Sequence, residues 1–87
     1  MKVLKYEMAV KQVQELALPL GAEILDIQAQ RGILCLWALV DSDTKRASRR
    51  RFRVYGTKHE IDKSANLQHL KTVQTKGFVW HIFEDTG

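Results

Sequence analysis

Ile33-Leu34-Cys35-Leu36-Trp37-Ala38-Leu39-Val40 is the longest apolar run in the chain, and it constrains the fold more than any other segment. In a β-strand successive side chains alternate between faces. Leu34, Leu36, Ala38 and Val40 would then point one way, and Ile33, Cys35, Trp37 and Leu39 the other. Both faces are apolar, so the strand calls for cover on both sides, as in a sandwich, a closed barrel, or a sheet lying against a partner subunit. A run of this length also suits a buried helical segment. The flanking turn signals and the lack of helix caps decide for a strand. The run is far short of the ~20 apolar residues that a membrane helix needs.

The rest of the chain breaks into similar short pieces. Pro19, Gly21, Gly32, Gly56 and Gly77 punctuate it. Lys2 to Met8 alternates as a strand, with Val3 opposed to Leu4 and Tyr6, and Val13 to Leu18 is a weaker strand closed by Pro19-Leu20-Gly21. Glu23 to Gln30 places Ile24 and Asp26 on one face, and Leu25 and Ile27 on the other. Arg31-Gly32 reads as a two-residue hairpin connection into the apolar run. Thr57 to Asn66 is polar and reads as loop, with at most one helical turn after Asp62, near Ser64–Leu67. Lys76-Gly77 joins Leu67–Thr75 to Phe78–Glu84 as a second hairpin. The expected fold is all-β: about seven short strands in a mostly antiparallel meander, forming a two-layer sandwich or a small barrel.

Eighty-seven residues make a single small domain spanning 1–87. A chain of this size buries a little over ~60% of the surface its unfolded form exposes, enough for one modest core. Cys35 is the lone cysteine, so no internal disulfide forms and nothing points to an oxidising compartment. The opening Met-Lys-Val-Leu-Lys-Tyr-Glu alternates and carries an acid, unlike a signal peptide. A cytoplasmic location follows as the expectation.

The net charge is +4, and its source is local. Residues 45–53, Lys-Arg-Ala-Ser-Arg-Arg-Arg-Phe-Arg, hold six of the fourteen basic residues and no acid. Outside them eight bases face ten acids, a net −2. On a strand beginning near Arg49, the side chains of Arg49, Arg51, Arg53 and Tyr55 share one face, while Arg50, Phe52 and Val54 share the other. Residues two apart lie roughly 6.6 Å from each other, similar to the phosphate repeat of an extended nucleic-acid strand. Guanidinium forks bind phosphate in pairs of hydrogen bonds, and Tyr55 could stack on a base. Lys45 and Arg46 sit in the loop before the strand, and Arg50 reaches out from the edge of the core by its aliphatic stem. The competing reading is a charged edge strand, or a solvated face paired with acids of its neighbour.

Other chemistry finds little footing. His59, His69 and His81 fall in separate segments, with no spacing that suggests zinc. Cys35 lies in the most apolar stretch, where a thiol acts as a small hydrophobe. There is no Gly-x-Ser-x-Gly and no phosphate-cradling glycine loop. Asp41 and Asp43 flank Ser42 as a turn signature before they are an acid pair, so a hydrolase using them with a histidine is the last of the readings. Trp37 and Trp80 read as core residues, with Trp80 open to an interface role if its strand is exposed. Neither an enzyme, a cofactor, a metal nor a membrane partner is expected.

Trp37-Ala38-Leu39-Val40-Asp41, Arg51-Phe52-Arg53-Val54-Tyr55-Gly56-Thr57, Thr72-Val73-Gln74 and Phe78-Val79-Trp80-His81-Ile82-Phe83-Glu84 resemble a family of small proteins found in phage and prophage genomes, classed as a domain of unknown function. The resemblance covers nearly the whole chain and rests on structural strings, so it implies no active-site residue. In the family pattern the Tyr-Gly-Thr segment is usually followed by glycine. Lys58 stands there, which argues against a positive-φ turn and a backbone anion nest at that point. The resemblance implies a phage-related origin and an accessory role. Two functions are therefore expected in order: a non-enzymatic accessory protein that binds a host protein or component, and a nucleic-acid or nucleotide binder using the arginine stripe. Edge strands on so small a sheet also invite a homodimer.

Overall fold

In the computed structural model, which describes residues 1–87, seven strands form two antiparallel sheets. They are β1 (Lys2–Met8), β2 (Gln14–Pro19), β3 (Glu23–Gln30), β4 (Ile33–Val40), β5 (Ala47–Gly56), β6 (Leu67–Thr75) and β7 (Phe78–Asp85). Sheet A has the order β1-β4-β3, and sheet B the order β2-β5-β7-β6. The fold is a small open sandwich with no closed barrel and no helix, hence none long and apolar enough to cross a membrane. Where a helical turn is expected after Asp62, an Asx turn stands instead: the Asp62 carboxylate accepts from the Ser64 backbone N–H and hydroxyl. Asp41 does the same for the Asp43 N–H at 3.0 Å.

The meander is limited to two hairpins, β3–β4 and β6–β7; every other connection between successive strands leads to a strand that is not a neighbour. Both hairpins turn as their sequences require. Arg31 and Gly32 take φ values of 55° and 79°, the double positive φ whose twist matches that of the flanking strands. At the third tight turn the sequence expectation fails. Lys58 adopts φ 74°, and the turn is closed by the His59 N–H donating to the Gly56 carbonyl at 3.2 Å. Gly56 N–H in turn donates to His59 Nδ1, and the ring lies so close that a Cβ on Gly56 would sit 3.0 Å from it. The turn is thus held by the imidazole cap, which compensates for a lysine in a conformation that glycine adopts more readily.

The core lies between the sheets. Leu34, Leu36, Ala38 and Val40 of β4 meet Leu18, Phe52, Val54, Val73 and Ile82 of sheet B, and Met8 and Ile27 close the flanks. On β3 the expected phase is broken by a bulge between Ile24 and Asp26. The extra residue, Leu25, lets both Ile24 and Ile27 face the core and turns Asp26 outward, correcting the strict alternation read from the sequence. A second bulge in β6, between His69 and Lys71, lets Lys71 reach back to Asp26 Oδ1 at 2.8 Å. That ion pair joins the β3 and β6 edges of the two sheets. On the opposite flank no ion pair joins β1 to β2; there the Gln14 side chain exchanges two hydrogen bonds with the Ala9 backbone, and Met8 and Leu18 are buried.

Candidate functional site

The arginine stripe is built as its alternation requires, and its solvent exposure falls steadily along β5. The Arg49 side chain is 78% exposed, that of Arg53 16%, and Tyr55 only 3%. Each arginine meets a carboxylate from another segment. Glu15 of β2, paired in register with Arg51, receives Arg49 at 3.4 Å and Arg51 at 3.6 Å. Arg53 donates to Asp85 Oδ2 of β7 at 3.1 Å through Nε and lies 3.8 Å from Asp62 of the β5–β6 loop. Its hydrogen bond to the Tyr55 hydroxyl and its bond to Asp85 hold the guanidinium above its ordinary basicity. The Gly87 N–H, then Arg53, hold the Asp85 carboxyl below the usual range, and Ser64 does the same for Asp62.

Tyr55 is therefore no base-stacking platform. Its ring packs edge-on against Phe83 with centroids 6.0 Å apart, and its hydroxyl accepts from Arg53. Lys45 and Arg46 remain exposed in the β4–β5 loop without an ion pair, although the Arg46 carbonyl accepts from Leu20 N–H at 2.9 Å. The most firmly held arginine is Arg50, the one on the core side. Its Nε and Nη2 grip both oxygens of Glu84 at 2.6 and 2.8 Å, while Nη1 donates to the Ala22 carbonyl at 2.6 Å. The Glu84 carboxylate raises its basicity further. An open cleft of about 420 Å³ at this end of sheet B is lined by Arg49, Arg50 and Arg51 together with Glu15, Glu84 and Asp85, and their charges cancel. Sequence alternation places the arginines correctly but gives no means of finding these acids, because it does not reveal which strands lie beside β5.

Two further clusters lie on sheet B. His81 is held between Thr57 and Thr72, each 3.0 Å from one ring nitrogen, and Thr72 also contacts His69 Nε2 at 3.0 Å. His59 stays apart, on its turn. At the end of the β6–β7 hairpin the rings of Phe78 and Trp80 stack with centroids 5.5 Å apart.

Sheet A presents a different surface. The outward side of β4 carries Ile33, Cys35, Trp37 and Leu39, and no third layer covers it: the Cα atoms extend only 15 Å in the thin direction. Val3 of β1 and Leu25 of the bulge add exposed apolar area. Cover on this side comes only from side chains. Lys5 reaches from β1 across the strand to Gln30 Oε1 of β3 at 2.8 Å, beside Cys35, which is 2% exposed. Ile33 is half-exposed, and Trp37 and Leu39 are partly exposed. Glu7 lines one border of this ridge, Glu23 and Asp26 the other. Lys71 and Gln28 hold the Asp26 carboxyl below its ordinary range.

Residues 1–87, the whole chain, match the family described as Domain of unknown function (DUF7352). The chain belongs to DUF7352. No curated protein and no solved structure matches it.

Proposed function

We propose that this DUF7352 chain is a non-enzymatic binding protein, a phage or prophage accessory factor that seats a host protein against the outer face of sheet A. The observation that carries the reading is the second apolar face of β4, which the fold leaves with side-chain cover alone. A strand apolar on both sides belongs between two layers, and here the chain supplies one. The ridge of Val3, Leu25, Ile33, Trp37 and Leu39, bordered by Glu7 and Glu23, suits a partner with an apolar strip and basic groups at its rim. The resemblance to phage and prophage proteins supports the choice of a host partner. The arginine stripe is the weaker candidate for a nucleic-acid or nucleotide site, because Glu15, Asp62 and Asp85 already occupy it.

The test is capture from host lysate with the wild-type chain, Trp37→Asp, and the double variant Arg49→Ser/Arg51→Ser. A partner retained by the wild type and the arginine variant but lost by Trp37→Asp is the expected result. No specific partner, or one lost only with the arginines, overturns the proposal.

A further inference from the structure

Four strands end the two sheets, and three of them carry a device that discourages pairing with another chain. β3 is bulged at Leu25 and tied to the opposite sheet through Asp26 and Lys71. β6 is bulged between His69 and Lys71. β2 is short and ends in Pro19, which has no N–H to give. β1 has none of these. It pairs with β4 in unbroken register from Lys2↔Val40 to Met8↔Leu34, its other edge pairs with no strand, and no bulge or proline interrupts it. Its charges, Lys2, Lys5 and Glu7, are of both signs, so a second copy can answer them, and a regular edge is a template for another strand.

We infer that β1 is the self-association edge, pairing antiparallel with β1 of a second copy so that two three-stranded sheets become one of six strands. The side chains select the register. Centring the two-fold axis on Tyr6 sets Tyr6 opposite the second copy's Tyr6, Leu4 opposite Met8, and Lys5 opposite Glu7. The first two pairs lie on the core side, where Leu4 and Tyr6 are only half-buried in one chain and gain cover from the second. The Lys5–Glu7 pairs form twice on the outer side, and Lys5 gives up Gln30 for a carboxylate. Moving the centre to Lys5 would set two lysines against each other. A centre between residues would place core-side residues opposite solvent-side ones.

Pairing at this edge also enlarges the outer face of the sheet. A face of three strands and eight residues covers about 370 Å² from strand spacing and rise, and the six-stranded sheet doubles this. The larger figure approaches the ~800 Å² per partner of a standard interface. The dimer does not depend on the proposed host partner, and its test reads mass alone.

Sedimentation or light scattering over a dilution series is expected to show a species of twice 10.0 kDa that dissociates on dilution. Lys5→Glu and Glu7→Lys, each alone, place like charges opposite one another and should leave the monomer. The double exchange Lys5→Glu/Glu7→Lys should restore the dimer. Tyr6→Cys is expected to form a disulfide-linked dimer under mild oxidation, and Gln28→Cys on β3 to form none. A monomer at every concentration, a dimer indifferent to both single charge reversals, or equal cross-linking through Gln28→Cys overturns the inference.

Discussion

The outer faces of the two sheets invert what their sequences advertise. The outer face of sheet B carries the densest charge in the chain, and nearby acids answer that charge: Glu15 meets Arg49 and Arg51, and Asp85 of β7 and Asp62 of the β5–β6 loop meet Arg53. Sheet A carries the long apolar run of β4, and its outer side receives only Lys5, Gln30 and a few neighbouring side chains. A run of like charge draws attention because it stands out in a linear reading. Its meaning depends on which strands lie beside it, and here they neutralise it. An apolar residue facing outward has no such remedy within the chain, since only another surface removes it from water.

The comparison can be tested most severely on β4 itself, where adjacent residues face opposite ways. Leu36→Ala, on the core side, is expected to cost about 2–5 kcal/mol in denaturant unfolding. Trp37→Ala should cost clearly less while weakening partner capture. Equal costs would mean that the two faces are equally buried, and the contrast would fail. Next in size is Arg50→Ala, which leaves Glu84 and the Ala22 carbonyl without their donor and is expected to cost roughly 2–3 kcal/mol. A cost near zero would show that the core-side arginine is no better held than its exposed neighbours.

Acid provides a third measurement. The folded Asp26 carboxyl titrates below its ordinary value of 3.8, chiefly because Lys71 donates to it. Its contribution is therefore complete above that value and is lost as pH falls through the lower folded one. Asp26→Asn should remove that part of the acid sensitivity, at most ~1 kcal/mol for a pair this exposed. Unchanged acid unfolding would remove the Lys71 tie from the account of how the sandwich closes. The smallest expected effect belongs to Arg49→Ser/Arg51→Ser, within about 0.5 kcal/mol of wild type. The same variant tests the charged face from the other side. If the wild type binds oligonucleotides with a steep salt dependence that this variant flattens, sheet B holds the functional surface after all.

Much of the architecture was legible because strands and tight turns leave plain marks: alternation in Lys2–Met8, the apolar run in β4, and glycine at both hairpins. The two-residue turns at Arg31-Gly32 and Lys76-Gly77 even fix which strands must be neighbours. The bulge at Leu25 was not legible, since one extra residue in an apolar-polar string looks like ordinary alternation until the partner strand shows the slip. Lys58 misled for a related reason. Composition argues against a lysine at positive φ, and the His59 ring that supports the turn declares itself only in three dimensions. For the candidate site, the faces of Arg49, Arg51 and Arg53 followed from period two alone. Their partners Glu15 and Asp85 come from strands more than thirty residues away in the chain, and Asp62 from the loop that follows β5, so neutralisation depended mostly on a strand order that no local pattern encodes. The burial of Tyr55 beside Phe83 was hidden in the same way.

The sheet-switching connectivity also sets how the molecule assembles in time. Only the β3–β4 and β6–β7 hairpins can form from local encounters, and they belong to different sheets. β1 must find β4 across nearly half the chain, from Lys2 to Val40, and the loop-closure entropy of that step comes before its contacts repay it. Folding should therefore fall among the slower small β proteins, in milliseconds to seconds. Until β1 docks, the bare edge of β4 stays open to the β1 of any neighbouring chain.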